Sequence, residues 1–122
     1  IRDSHTVYEY TIFFDDEQAR RLLYPVLKNV SYTRWHPYFL DIVPEGLSKS
    51  YGAARILERI GVTREECMAF GDGGNDIPII EYAGIGVAMG NATDDVKAAA
   101  DYVTDTVDED GVVTALQRFG VL

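Results

Sequence analysis

Cysteine and histidine are scarce in this chain of 122 residues, which holds one cysteine, Cys67, and two histidines, His5 and His36. A lone cysteine cannot close a disulfide within the chain, so the fold has to stand on an apolar core. A reducing cytoplasm is the expected compartment. No unbroken apolar run approaches the roughly 18 residues that mark a membrane span, and no charged-then-apolar leader opens the sequence. Bases are almost absent from the second half: residues 72–122 carry ten acids against only Lys97 and Arg118, whereas residues 1–71 carry ten acids and nine bases, for a formal charge of −9 overall. Such an acidic surface repels phosphate backbones and anionic lipid, so neither nucleic acid nor a membrane is the expected partner. Acids gathered in one region either keep a surface soluble or hold a divalent cation, and charge alone leaves both open.

What is present suits one compact domain, with 47% apolar and 25% charged residues and no repeats or low-complexity stretches. A chain of this length buries roughly two-thirds of the surface its unfolded form exposes. The first residue is Ile1 and not Met, which fits processing, an artificial boundary or a piece of a longer chain.

Two patterns divide the sequence. Val7 to Phe14, rich in β-branched and aromatic residues, predicts a strand. Asp15 or Asp16 then caps a helix whose apolar residues Ala19, Leu22, Leu23, Val26 and Leu27 follow helical spacing, with Pro25 set to kink or shorten it. Ser31 to His36 and Phe39 to Val43 read as two strands joined through Pro37. From Lys49 onward short apolar strands alternate with helices. The spacing predicts helices over 50–60, 76–82, 93–100 and 109–119, and strands over 67–70, 84–89 and 102–104. Alternation of this kind builds a parallel sheet covered by helices, and ligands sit beyond the carboxyl ends of its strands. Asp72 and Asn91 both fall just past such ends.

Gly71-Asp72-Gly73-Gly74-Asn75-Asp76 gathers two carboxylates and a carboxamide on a glycine-rich turn between a strand and a helix. Hard oxygen ligands suit magnesium, which takes one or two carboxylates and fills its other positions with water and substrate phosphate. The plainer alternative is a polar turn in which Asp76 only caps the next helix. Lys49 stands at the first turn of a helix, where a cation opposes the helix dipole and invites an anion nearby. The plainer alternative there is a solvated lysine.

Gly46-Leu47-Ser48-Lys49, Phe70 to Pro78, Ala83 to Ala92 and Asp110-Gly111-Val112 together resemble the C-terminal half of a Cof-type phosphatase, cap class IIB, of the haloacid dehalogenase superfamily. The resemblance is dense from about Asp41 onward and looser over residues 1–40. It implies an α/β fold: residues 1–44 as the end of an α/β cap domain, and residues 45–122 as the C-terminal part of a Rossmann-like parallel-sheet core. It implies Mg2+-dependent hydrolysis of small sugar or other metabolite phosphates through an aspartyl-phosphate. Carried over by motif, Lys49 steadies the nucleophile and the phosphoryl oxygens, Asp72 ligates magnesium, and Asp76 shares the metal site by holding a metal-bound water or Lys49. Asn75 contacts the phosphate side, and Asn91 supports the substrate-binding rim from behind.

The family's nucleophile motif, Asp-x-Asp-Gly-Thr after an apolar strand, is absent from these residues, as is the Ser/Thr motif that follows it. Asp108-Glu109-Asp110-Gly111 has part of the spacing, but it follows the motif it should precede and lacks the threonine; a capping turn explains it. Ile12 to Asp16 ends a strand in acids, but Glu17 and Gln18 stand where aspartate and glycine are needed, and helix capping explains it too. The expectation is therefore a chain that is silent alone and is completed by the missing N-terminal half of the same enzyme, or else self-associates through an uncovered apolar edge.

Trp35, His36, Tyr38 and Phe39 are expected to pack at a hairpin, Cys67 to be a small buried hydrophobe in a strand, Tyr51 to pack on a helix face, and His5 has no evident role. Two other classes share some of these features. The phosphorylation domain of a cation-pumping ATPase carries a similar Gly-Asp-Gly-x-Asn-Asp stretch but needs membrane spans near it. A non-catalytic acidic fragment binding a metal or a partner protein would need none of the chemistry.

Overall fold

The computed structural model describes residues 6–122, so His5 lies outside the described residues. The chain forms two compact units, Ile1–Leu47 and Ser48–Leu122.

The first unit contains β1 (Tyr10–Ile12), α1 (Asp16–Leu22), β2 (Val30–His36) and β3 (Phe39–Pro44). Its sheet is antiparallel in the order β1-β3-β2, with Tyr10 opposite Ile42, Ile12 opposite Leu40, and Val30 opposite Pro44. Alternation along β3 turns Leu40 and Ile42 inward, where they pack with Ala19 of α1. The first strand is shorter than Val7 to Phe14. Further pairing along β3 runs toward Pro44, which has no N–H to give, and Phe14 already bonds back to Ile12. The helix is shorter too. Asp15 opens it with a reciprocal capping box to Gln18, and it stops at Leu22, three residues before Pro25. Leu23 and Leu27 still reach the core through the turns that follow, but Leu22 and Val26 face water.

Pro37 and Tyr38 form the two-residue turn between β2 and β3, with His36 paired to Phe39. The His36 ring stacks on Phe39 at 4.5 Å, and its Nδ1 accepts the Tyr38 N–H at 3.3 Å, so the histidine serves the hairpin. Trp35 lies in β2, and Tyr38 is exposed.

The second unit contains α2 (Lys49–Ile60), β4 (Met68–Gly71), α3 (Ile77–Tyr82), β5 (Ile85–Ala88), α4 (Asp94–Ala99), β6 (Tyr102–Val103) and α5 (Gly111–Arg118), with 3-10 turns at Arg64–Glu66, Gly74–Asp76 and Val107–Glu109. Its sheet is parallel in the order β4-β5-β6, as the alternation predicts, with Gly71 opposite Ala88 and Ala88 opposite Val103. Helix α3 packs against β4, β5, α2 and α4. Ile80, Ala88, Ala92 and Val96 form the buried centre of the unit.

Three expectations change here. Cys67 stands just before β4 and is half-buried, with its Sγ 3.9 Å from the Met68 carbonyl oxygen. Tyr51 stays half exposed, because the inward side of α2 is carried by Ala53, Ala54 and Leu57. The last helix does not run unbroken from Glu109: Asp110 takes a left-handed φ of 55° between the 3-10 turn and α5. Among the described residues no helix is long and apolar enough to cross a membrane.

Candidate functional site

Strand β4 ends at Gly71, and the chain turns at once into Asp72, Gly73 and the 3-10 turn of Gly74–Asp76. This tight turn brings Asp76 back over the strand end. A Cβ on Gly71 would lie 2.4 Å from the Asp76 Cβ and 2.9 Å from the Ile80 Cδ1, so only glycine lets the two segments approach this closely.

Asp76 is 7% exposed. Its Oδ2 accepts the backbone N–H groups of Asp72 at 3.0 Å and Gly73 at 3.2 Å, and its Oδ1 is paired with the Lys49 ammonium. It forms no side-chain cap on α3 but does cap the Gly73 N–H at the head of the 3-10 turn, so capping accounts for only part of its bonding. Burial pushes its carboxyl toward the neutral form, but the Lys49 ammonium and the two N–H donors outweigh that and hold it below the ordinary aspartate value. Lys49 is the first residue of α2, behind the Ser48 cap, and its side chain is half exposed. A cation opposed to the helix dipole here finds its anion in Asp76.

The parallel register sets Asp72 and Asn91 past adjacent strand ends. Asn91 Nδ2 donates to Asp72 Oδ2 at 3.2 Å, and Asn91 Oδ1 accepts the backbone N–H of Val107 at 3.1 Å. Asp72 is exposed, and among the described residues nothing bonds its Oδ1. Asn75 is half-buried beside Gly73, with no side-chain hydrogen bond among the described residues. One continuous hydrogen-bonded line therefore runs Lys49, Asp76, Asp72, Asn91, Val107. Its last member is invisible in the sequence because it acts through its backbone, which leaves no side-chain signature.

Among the described residues no three His, Cys, Asp or Glu side chains gather into a closed metal cage. The donor set still suits a hard cation that keeps most of its water, because a single open carboxylate, Asp72, is the kind of ligand magnesium takes alongside phosphate. The acid-rich alternatives lie elsewhere. Asp15 caps α1, as expected. Asp108 and Asp110 make no side-chain hydrogen bond among the described residues, so the capping turn expected there is replaced by the left-handed Asp110 itself.

A family model described as haloacid dehalogenase-like hydrolase matches residues 1–116. YkrA of Bacillus subtilis (strain 168) is 40% identical over 116 residues, which are 95% of this chain and 44% of YkrA. Among solved structures, the phosphatase BT1666 from Bacteroides thetaiotaomicron superposes with a TM-score of 0.90 at 45% identity, over 99% of this chain and 45% of that one. BT4131, a sugar phosphatase of haloacid dehalogenase subclass IIB, superposes with a TM-score of 0.87 at 44% identity, over 97% of this chain and 45% of that one. The chain spans less than half the length of these relatives.

Proposed function

The chain belongs to the haloacid dehalogenase-like hydrolase family, and on that premise we propose that it supplies the lysine and metal side of the phosphoryl-binding site in a magnesium-dependent phosphatase. The observation that carries the reading is the Lys49–Asp76 pair set beside the open carboxylate of Asp72 at the carboxyl ends of parallel strands. Phosphoryl transfer asks its protein mainly for position and charge neutralisation, and these three side chains offer both.

Lys49 presents a compact point charge to the phosphoryl oxygens and to the nucleophile, while Asp76 fixes the direction of that charge. Asp72 holds Mg2+ through its open oxygen; when bound, the ion neutralises charge on the phosphoryl group. Both oxygens of Asp76 already have partners, which favours orientation of Lys49, or of a metal-bound water, over direct ligation. Asn75, with its side chain uncommitted, turns to the phosphate side, and Asn91 steadies the rim.

Residues 1–44 are assigned to the end of the cap and 45–122 to the core. The substrate is a small phosphorylated metabolite, with sugar phosphates favoured by the likeness to BT4131. The relatives favour this reading over an ion pump or a non-catalytic acidic fragment. These 122 residues are silent alone, because the Asp-x-Asp-Gly-Thr nucleophile must come from the N-terminal half of the enzyme, and the chain works in the cytoplasm. The test is p-nitrophenyl phosphate hydrolysis with Mg2+. The expected result is none from this chain, and turnover once a polypeptide carrying the nucleophile motif is joined to it. Magnesium-dependent turnover by the chain alone, or activity in the joined enzyme that survives Lys49→Ala, would overturn the proposal.

A further inference from the structure

Asn91 touches two groups of opposite hydrogen-bonding character. The Asp72 carboxylate can only accept and the Val107 N–H can only donate, so the Asn91 amide has one chemically allowed orientation, Nδ2 toward Asp72 and Oδ1 toward Val107. The segment that offers Val107 is built to stay in place. Gly90 donates its N–H to the Asp105 carbonyl at 2.9 Å, and a Cβ on Gly90 would lie 2.7 Å from the Thr106 nitrogen. Both Glu109 and Gly111 donate to the Thr106 carbonyl, and the buried Thr104 hydroxyl donates to the Gly111 carbonyl at 2.6 Å.

We propose that Val107 is a positioning residue for the metal site: its backbone N–H, acting through Asn91, orients the Asp72 carboxylate so that the open oxygen faces the cation. This rests on the reading of Asp72 as a metal ligand. Partners behind a metal ligand are worth roughly tenfold to a hundredfold in affinity, so a turn far along the chain sets how tightly the ion is held.

Backbone chemistry offers a clean test. Val107 is the first residue of its 3-10 turn, and Thr106 before it is extended at φ −69° and ψ 166°. Proline is tolerated at a first helical position after an extended residue, so Val107→Pro deletes the one donor with little disturbance of the turn. Mn2+ serves as the probe, titrated into the 122-residue chain while the broadening of amide resonances around Asp72 is followed.

Asn91→Ala and Val107→Pro are each expected to weaken Mn2+ binding about tenfold. The double variant should be no weaker than either, because both changes cut the same link. Amide exchange in metal-free protein gives a second readout that needs no proline variant: Asn91→Ala should speed exchange at Val107 at least tenfold. Unchanged exchange at Val107, additive losses in the double variant, or wild-type affinity in a folded Val107→Pro chain would each overturn the inference while leaving Asp72 as a ligand. A wild-type chain that shows no broadening near Asp72 would remove the metal reading and the inference together.

Discussion

The Lys49 ammonium meets the Asp76 carboxylate across 27 positions of sequence, tying the first turn of α2 to the turn that follows β4. A nearly buried acid and a half-exposed base share this contact, so the two partners do not contribute alike. The acid depends on the base for its charge, and the base depends on the acid for its direction.

Removal of the cation by Lys49→Ala leaves Asp76 with its two N–H donors and no counter-charge. We expect a loss of about 1–2 kcal/mol in urea unfolding, kept modest because the lysine is half solvated. In the joined enzyme the same change should lower kcat about a hundredfold or more, the usual cost of removing a charged contact to the reacting phosphoryl group. A variant of wild-type stability and wild-type kcat would show the pair to be incidental.

Acid should erode the contribution of Asp76. Its carboxyl is held below the ordinary value in the folded chain, so the ionised form adds stability above about pH 4, where the unfolded chain titrates. That contribution fades as pH falls through the lower, folded value. In metal-free buffer the stability gap between wild type and Asp76→Asn should be constant near neutrality and close as the solution becomes acid. Urea midpoints measured from pH 7 downward check this, and a gap that widens in acid contradicts it.

Crowding at Gly71 predicts a severe variant. In Gly71→Ala the new methyl meets the Asp76 Cβ at 2.4 Å, and either the strand end or the 3-10 turn has to move. Overpacking of this kind costs about 1–3 kcal/mol. The shift also pulls Asp76 off the Asp72 and Gly73 N–H groups, so Mn2+ binding should weaken along with the unfolding midpoint. A Gly71→Ala chain with unchanged affinity would mean that the turn does not hold Asp72.

Asp110 is expected to respond in the opposite sense. Its left-handed backbone is costly for a residue with a Cβ, and its carboxylate makes no hydrogen bond among the described residues. Asp110→Gly should therefore raise stability by about 0.5–1 kcal/mol, visible as a higher Tm. Activity of the joined enzyme should be intact, a result that no nucleophilic role for Asp110 would survive.

Much of this arrangement is legible in the residues. The alternation of short apolar strands and helices after Lys49 gives the parallel sheet, and the rule that ligands lie past strand ends puts Asp72 and Asn91 on one rim. A lysine in a helical first turn points to an anion, and Asp76 is found there. The early end of α1 is legible, because Pro25 already marks it; the length of β1 is not, because Pro44 limits the ladder only once β3 lies beside it. The Val107 contact is hidden for another reason. Every residue but proline carries a backbone N–H, so no side-chain pattern marks the one that matters.

Cys67, the single thiol, stands at the opposite end of β4 from Asp72. Along an extended strand the five steps from Cys67 to Asp72 span roughly 16 Å. A nitroxide or fluorophore attached there has no competing thiol elsewhere in the sequence. The strand thus supplies its own molecular ruler, with a unique labelling handle at one end and the cation's expected ligand at the other. Distance spectroscopy becomes possible without first engineering the background.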